Sequence, residues 1–322
     1  MNSFSRAAVR TVWLISTCLL LSAAPARAEA PSPSAPTVEA PLPLPDRSGS
    51  SSAKATTENS VSPSEAAREA RIEAWIKELS GKPGFEAWKD AVHRTEPLGP
   101  GTHSWLVSLS TADGTEAGYL VVTYDPQGQL GLAEYGTGSY PLFSMKTLHR
   151  VLAQRGLILL SDEADSIKRM YLGPLESYWI VPTDEGMLYL DAKSGQRLPK
   201  LDKTSSSRAP EGSYSTLPAQ ATIEKEWHAE EPGSDPLDGA DWIHPQAKQV
   251  ILPNASELLS QLMKRPVHLT FTLYEGQCIY PFSLNGIHLW VNGIAFVSVD
   301  HEGSRFIPWA FTEQAIYTLP PF

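Results

Sequence analysis

Residues 103–135 read HSWLVSLSTADGTEAGYLVVTYDPQGQLGLAEY. Three runs of alternating or β-branched residues, His103 to Thr111, Glu116 to Tyr124 and Leu130 to Tyr135, are separated by the turns Ala112-Asp113-Gly114 and Pro126-Gln127-Gly128. Short runs of this kind, divided by glycine-bearing turns, predict an antiparallel meander. Helical signals lie on either side of it. Upstream, Ser62-Pro63-Ser64-Glu65 is a capping box with proline at the first helical position. Ile72, Trp75, Ile76 and Leu79 then recur at helical spacing, and Gly81 supplies the stop. Phe85, Trp88 and Val92 suggest a second short helix. Downstream, Ser144 caps a helix carrying Leu148, Val151 and Leu152 and closed by Gly156. Strands at Ser177 to Pro182 and Gly186 to Asp191 follow. The expected class is α+β, with helices packed on antiparallel sheets.

The far end of the chain repeats the theme. Asn254-Ala255-Ser256-Glu257 is another capping box, and Leu258, Leu259, Leu262 and Met263 form the apolar side of its helix. Strands are expected at Val267 to Tyr274, Cys278 to Phe282, Ile287 to Val291, Ile294 to Val299 and Arg305 to Pro308. Asn292-Gly293 is the strongest hairpin signal in the chain. Between the two regions, residues 202–245 hold nine acids against three bases and read as an acidic, irregular linker. The expectation is two small domains, 64–201 and 246–322, each a helix packed on an antiparallel sheet.

The N-terminus reads as an export signal. Arg6 and Arg10 precede an apolar run from Val12 to Ala24, and Ala26-Arg27-Ala28 is a small-x-small cleavage site. Residues 1–28 are read as a signal peptide cleaved after Ala28. Residues 29–63 are read as a disordered Pro/Ser-rich spacer. The apolar run is too short to span a bilayer, so no stable membrane insertion is expected after cleavage. Loss of three arginines takes the formal charge from −10 to −13. That balance argues against a nucleic-acid partner, which needs a basic face to meet phosphates. The expected location is secreted or extracytoplasmic. Only Cys278 remains after cleavage, so no internal disulfide is available.

Tyr178 to Leu198 (YWIVPTDEGMLYLDAKSGQRL) resembles the closing hairpin of PepSY-type domains, through Tyr189, Asp191, Ala192, Lys193, Ser194 and Gly195. Gly118 to Val122, Leu132 to Tyr135 and Tyr140 to Leu142 are similar to inhibitory prodomains of streptopain-like secreted cysteine peptidases. The resemblance implies an exported, non-catalytic module that modulates a peptidase or sits at the cell surface. The region after it is short for a peptidase domain.

Catalytic signatures are sparse. Cys278 is the one candidate thiol nucleophile, with His288 or His301 as its base, in the chain order of streptopain-like enzymes. The spacing is short for such folds, and a strand position lends no helix dipole to lower the thiol pKa. No metal site is expected. No histidine pair has zinc-helix spacing, and Asp235, Asp238 and Asp241 do not match a calcium loop. Gly136-Thr137-Gly138-Ser139 is neither a nucleophile elbow nor a dinucleotide cradle. Glu134 stands beside this loop as a lone carboxylate. Alternation places His288, Trp290 and Asn292 on one face of a strand, an aromatic and polar surface suited to sugar or peptide recognition.

The leading expectation is an exported binding or regulatory protein without cofactors, whose partner is a secreted peptidase or a cell-envelope component. The alternatives are a secreted cysteine hydrolase using Cys278 with His288 or His301, and a structural envelope or coat component.

Overall fold

The computed structural model describes residues 63–99, 103–125, 127–157, 166–201, 213–218, 220–229, 236–239 and 248–319. The signal, with Ala26 and Ala28, and the spacer up to residue 62 lie outside the described residues, as do Asp235 and Asp241, while Pro63 begins a helix. The described residues fall within one compact unit, Asn59–Phe322.

The expected class holds: helices pack on antiparallel sheets. Helix α1 (Pro63–Leu79) is followed by β1 (Val92–Pro97), β2 (Ser104–Ser110), β3 (Glu116–Tyr124) and β4 (Leu130–Thr137). Helix α2 (Met145–Gln154) then precedes a separate three-stranded sheet of β5 (Lys168–Gly173), β6 (Glu176–Thr183) and β7 (Gly186–Asp191). Strand β8 (Ile223–His228), a single helical turn α3 (Pro236–Gly239) and β9 (Lys248–Val250) lead to α4 (Ala255–Leu262). The chain ends in β10 (His268–Leu273), β11 (Cys278–Trp290), β12 (Ala295–Asp300), β13 (Ser304–Pro308) and β14 (Ile316–Leu319).

The caps behave as their side chains dictate. Ser144 Oγ accepts from Thr147 N–H, and Asn254 Oδ1 accepts from Glu257 N–H. Each satisfies a donor that has no partner within its helix. Phe85 and Trp88 do not continue into a second α-helix. Glu86–Trp88 is a single 3-10 turn, and Val92 lies exposed in edge strand β1.

The expected boundary at 202–245 is crossed by continuous pairing. The large sheet runs β1-β2-β3-β4-β13-β12-β11-β10-β14-β9, so the two expected domains meet where β4 pairs with β13. Strand β8, inside the supposed linker, pairs with β11. The acidic composition concealed a strand because only Ile223 of its six residues is buried. The two expected strands at 278–282 and 287–291 are one long strand, β11. Its first half pairs with β10 and its second with β12 and β8, with an irregularity between Leu284 and Gly286. Gly286 belongs there because an added Cβ would lie 3.2 Å from both Ser298 Cβ and His228 Nδ1.

The order of one helix and four antiparallel strands therefore occurs twice, as α1 with β1–β4 and as α4 with β10–β13. The β3–β4 turn, Asp125 to Gly128, matches the β12–β13 turn, Asp300 to Gly303, in its Asp-x-x-Gly pattern.

Alternation along the strands divides the core. Leu120, Val122, Leu132, Tyr135, Phe296 and Phe306 face α1, with its Ile72, Trp75 and Leu79. Tyr119, Val121 and Ala133 face α2 and the three-stranded sheet, through Leu148, Trp179 and Leu190. Ile287, Val297 and Ile307 pack with α4 and with Tyr178 and Tyr189. Each such large apolar side chain contributes about 1.5–3 kcal/mol on full burial.

One close approach is testable. A Cβ at Gly118 would lie 2.5 Å from the Gly136 carbonyl oxygen and 2.6 Å from Trp88 Nε1, which donates to the Ala117 carbonyl. Neither backbone nor indole has room to yield. Gly118→Ala is expected to lower unfolding stability by about 1–3 kcal/mol in urea titrations. An unchanged midpoint would show that β3 and β4 can separate at no cost.

Candidate binding site

The β3–β4 register shifts between Val121 and Val122. Such a bulge re-aims side chains. Leu132 and Tyr135 point to the α1 side, while Ala133 points to the opposite side, toward the three-stranded sheet. Glu134 also reaches that opposite side and meets Arg305 of β13. Arg305 Nε donates to Glu134 Oε2 at 3.0 Å and Nη2 to Oε1 at 3.1 Å. Both side chains have no solvent exposure. This bidentate geometry is the strongest form of an ion pair. The lone carboxylate of the sequence therefore has a partner, contributed by the other half of the sheet.

Further groups join the pair. Arg305 Nη2 also donates to Ser177 Oγ at 3.4 Å, and Nη1 donates to His301 Nδ1 at 3.2 Å. Arginine cannot accept, so His301 Nδ1 holds a lone pair and its proton sits on Nε2. That nitrogen faces Asp191 Oδ1 at 3.6 Å. Asp191 Oδ1 accepts from Lys193 N–H at 3.0 Å, Ser194 N–H at 2.7 Å and Ser194 Oγ at 2.9 Å. The Asp-Ala-Lys-Ser-Gly block is thus a turn closed by its own aspartate, with Gly195 at φ 73°. The buried Lys193 ammonium donates to the carbonyls of Tyr140 and Glu302.

Burial shapes the titration of this cluster. It lowers the Lys193 pKa to about 8, with Arg305 adding to the effect. It lowers His301 to about 4, against the pull of Asp191 and with Arg305 and Lys193 adding to the lowering. Burial alone would lower Arg305, but Glu134, Tyr119, Asp191 and Tyr171 turn its net direction upward. Burial also pushes Glu134 up, against the two bonds from Arg305. At neutral pH the cluster holds Arg305⁺ on Glu134⁻ and a neutral His301 between Arg305 and Asp191.

His301 joins this interior to the surface. It lines a cleft of about 450 Å³ together with Ser194, Gln196, Tyr280, Phe282 and Asp300. Tyr280 and Phe282 are stacked, with centroids 6.0 Å apart and planes 9° from parallel. Ile279 and Leu237 add exposed apolar surface, and the carboxylates of Asp300 and Glu302 lie at its rim.

The expected catalytic residues are not assembled. Cys278 and His288 lie ten positions apart on one strand, a separation on the order of 30 Å. Both ring nitrogens of His288 are engaged, Nδ1 with Tyr135 at 2.9 Å and Nε2 with His228 at 3.2 Å. Those of His301 face Arg305 and Asp191. Burial pushes the Cys278 thiol up rather than down. Ser194, Asp191 and His301 have the composition of a hydrolytic triad but not its order, since the carboxylate lies between the other two and receives the serine hydroxyl.

The expected recognition face is also different. His288 and Trp290 are fully buried in the α1-side core, where Trp290 Nε1 donates to Tyr135 Oη at 3.4 Å. Phe85, Tyr135 and Phe306 cover the His288 ring. Asn292 sits in the exposed turn at φ 63° and shares no surface with them. Alternation placed His288 and Trp290, but not Asn292, on one face, and a helix and the neighbouring half of the sheet cover it. Among the described residues no cluster of three metal-ligating side chains occurs, and no helix is long and apolar enough to cross a membrane.

Comparisons with protein families, curated proteins and solved structures find no match to this chain. Fold and site together define an α+β protein whose two sheet halves are joined through a buried charged cluster opening on a polar, aromatic-lined cleft.

Proposed function

We propose that this is an exported, non-catalytic binding protein, and that the cleft at His301 receives a basic segment of a polypeptide partner. The partner class is a secreted peptidase or an envelope protein. The observation that carries the reading is the cleft's composition: stacked Tyr280 and Phe282 with exposed Ile279 and Leu237 offer apolar contact, while Asp300 and Glu302 offer negative charge at the rim. An aromatic face beside carboxylates suits an arginine or lysine, whose stem is apolar and whose head is charged. The formal charge of −10 supports the same sign of partner through long-range attraction. The export signal and the PepSY-like hairpin in the sequence agree with an extracytoplasmic binding role. Engagement of His288 and His301 away from Cys278 speaks against the hydrolase alternative.

The test is calorimetric binding of short Arg- or Lys-containing peptides with flanking aliphatic residues, compared with Glu-containing counterparts. Wild type is expected to bind the basic set, and Asp300→Asn with Glu302→Gln to weaken binding at least tenfold. Absence of binding at millimolar peptide, or equal binding of acidic peptides, would reject the reading. Slow iodoacetamide labelling of native Cys278 at neutral pH is expected alongside. Labelling faster than that of the denatured chain would instead favour a reactive thiol.

A further inference from the structure

A second arrangement lies on the opposite, α1-facing side of the sheet and is independent of the cleft. Residues 213–218 and 220–228 form a strap across the α1-side core. Leu217, Ala221 and Ile223 are buried in it. The strap is tied at its start by pairing of Ser215 with Leu132 and by Arg71 donating to the Leu217 carbonyl. Its middle is held where Ile223 N–H donates to Glu78 and Val291 N–H donates to the Thr222 carbonyl. Its end is the β8–β11 ladder, closed by His228 against His288 and by Ala229 N–H donating to the Asn285 carbonyl.

The protons along this chain can be placed. Trp290 Nε1–H can only donate, so Tyr135 Oη accepts from it. We assign the Tyr135 hydroxyl proton to the bond with His288 Nδ1, 2.9 Å away. A neutral His288 with an accepting Nδ1 carries its proton on Nε2 and donates it to His228 Nε2 at 3.2 Å. His228 must then carry its own proton on Nδ1. One proton lies between the two rings, and the contact has no place for a second. Protonating His228 Nε2 sets two N–H groups against each other, and moving the His288 proton to Nδ1 to relieve this costs the Tyr135 hydroxyl its acceptor.

We propose that the His228–His288 pair is an acid-operated latch, in which an added proton parts the rings and frees the β8 end of the strap from β11. His228 is the entry point, since it is half-buried while His288 is fully buried. The charged and titratable groups facing the pair are Glu226 on β8, Glu86 in the 3-10 turn, Lys82 after α1, and Tyr135 on β4. Glu226 and Glu86 attract a proton to His228, whereas Lys82 opposes one on His288. Burial outweighs the acids and lowers His228, and it holds His288 well below the ordinary histidine value. The latch is therefore closed at neutral pH and opens on acidification.

The test is amide hydrogen exchange of the full-length protein between pH 7.5 and 5, expressed as protection factors. Protection of the β8 amides is expected to fall at least tenfold more than that of β3 amides, which report global opening. In His228→Asn, which keeps a polar side chain but does not titrate, that extra loss is expected to vanish. If β8 tracks β3 at every pH in wild type, or if the variant keeps the extra loss, the latch is wrong. Ring-nitrogen NMR of wild type at pH 7.5 gives a check without any substitution. It should find His288 protonated on Nε2 and His228 on Nδ1, and the reverse tautomers would overturn the proposal.

Discussion

Arg305→Met is expected to destabilise the protein by about 3–5 kcal/mol, measured by urea unfolding at pH 7.5. The substitution keeps most of the side-chain volume but leaves the Glu134 carboxyl at zero exposure without its counter-ion, so it must stay charged there or take up a proton. Removing one partner of a buried ion pair costs this much because the remaining charge has lost both water and its counter-ion. Arg305 also supports Ser177 and fixes the His301 tautomer, so the loss spreads into the cleft. The double substitution Glu134→Leu with Arg305→Met removes both charges together and is expected to recover most of the stability. A single-variant loss below about 1 kcal/mol would mean that water reaches Glu134, and the cluster would not be the joint between the sheet halves.

The second large effect is acid sensitivity. His301 titrates near 6.5 when unfolded and at about 4 in the folded protein. Above pH 6.5 it is neutral in both states and has no influence. Below 6.5 the unfolded chain takes the proton first, so stability falls as pH falls, until the folded pKa is reached. At 1.36 kcal/mol per pH unit, His301 alone removes about 2 kcal/mol by pH 5 and about 3 kcal/mol by pH 4. His228 and His288, also lowered by burial, act with the same sign. Glu134 and Glu176 are raised by burial and act with the opposite sign, gaining stability as they protonate. Urea midpoints from pH 7.5 to 5 are expected to fall in wild type and to fall less steeply in His301→Asn. A flat wild-type profile, or an unchanged slope in the variant, would show that His301 is not held neutral.

Both effects arise in the buried cluster on one face of the large sheet, and the His228–His288 chain lies on the other. On one face, charge joins β4 to β13 and opens to solvent through His301. On the other, an uncharged chain of Trp290, Tyr135, His288 and His228 runs to the sheet edge. His301 therefore belongs to both the cleft and the acid response of the first face, while the His228–His288 latch uses separate residues and can be altered without the cleft.

Much of the local architecture was legible in the sequence. The run EAGYLVVTY forms β3 without a residue gained or lost, because β-branched and aromatic alternation between glycine-bearing turns leaves one reading. Ser144 and Asn254 act as caps because a short oxygen-bearing side chain can reach the free N–H groups of the first turn. Asn292-Gly293 turns the chain because both residues accept positive φ. Signals of this kind depend on neighbours within a few residues.

Tertiary structure alone decided the rest. β8 carries acids and lysine where a buried strand would carry apolar residues, so only its pairing with β11 defines it. Glu134 and Arg305 are far apart in the chain, and neither residue by itself specifies a partner. The bulge that turns Glu134 inward depends on the β3–β4 register. The expected division into two domains gave way because β4 and β13 are both edges of their own meanders, and edges pair when brought together. His288 and Trp290 were placed correctly on a shared face, yet whether that face meets solvent or core depends on α1 and the other half of the sheet. Periodicity specifies which side chains share a face, and only long-range packing specifies what that face meets.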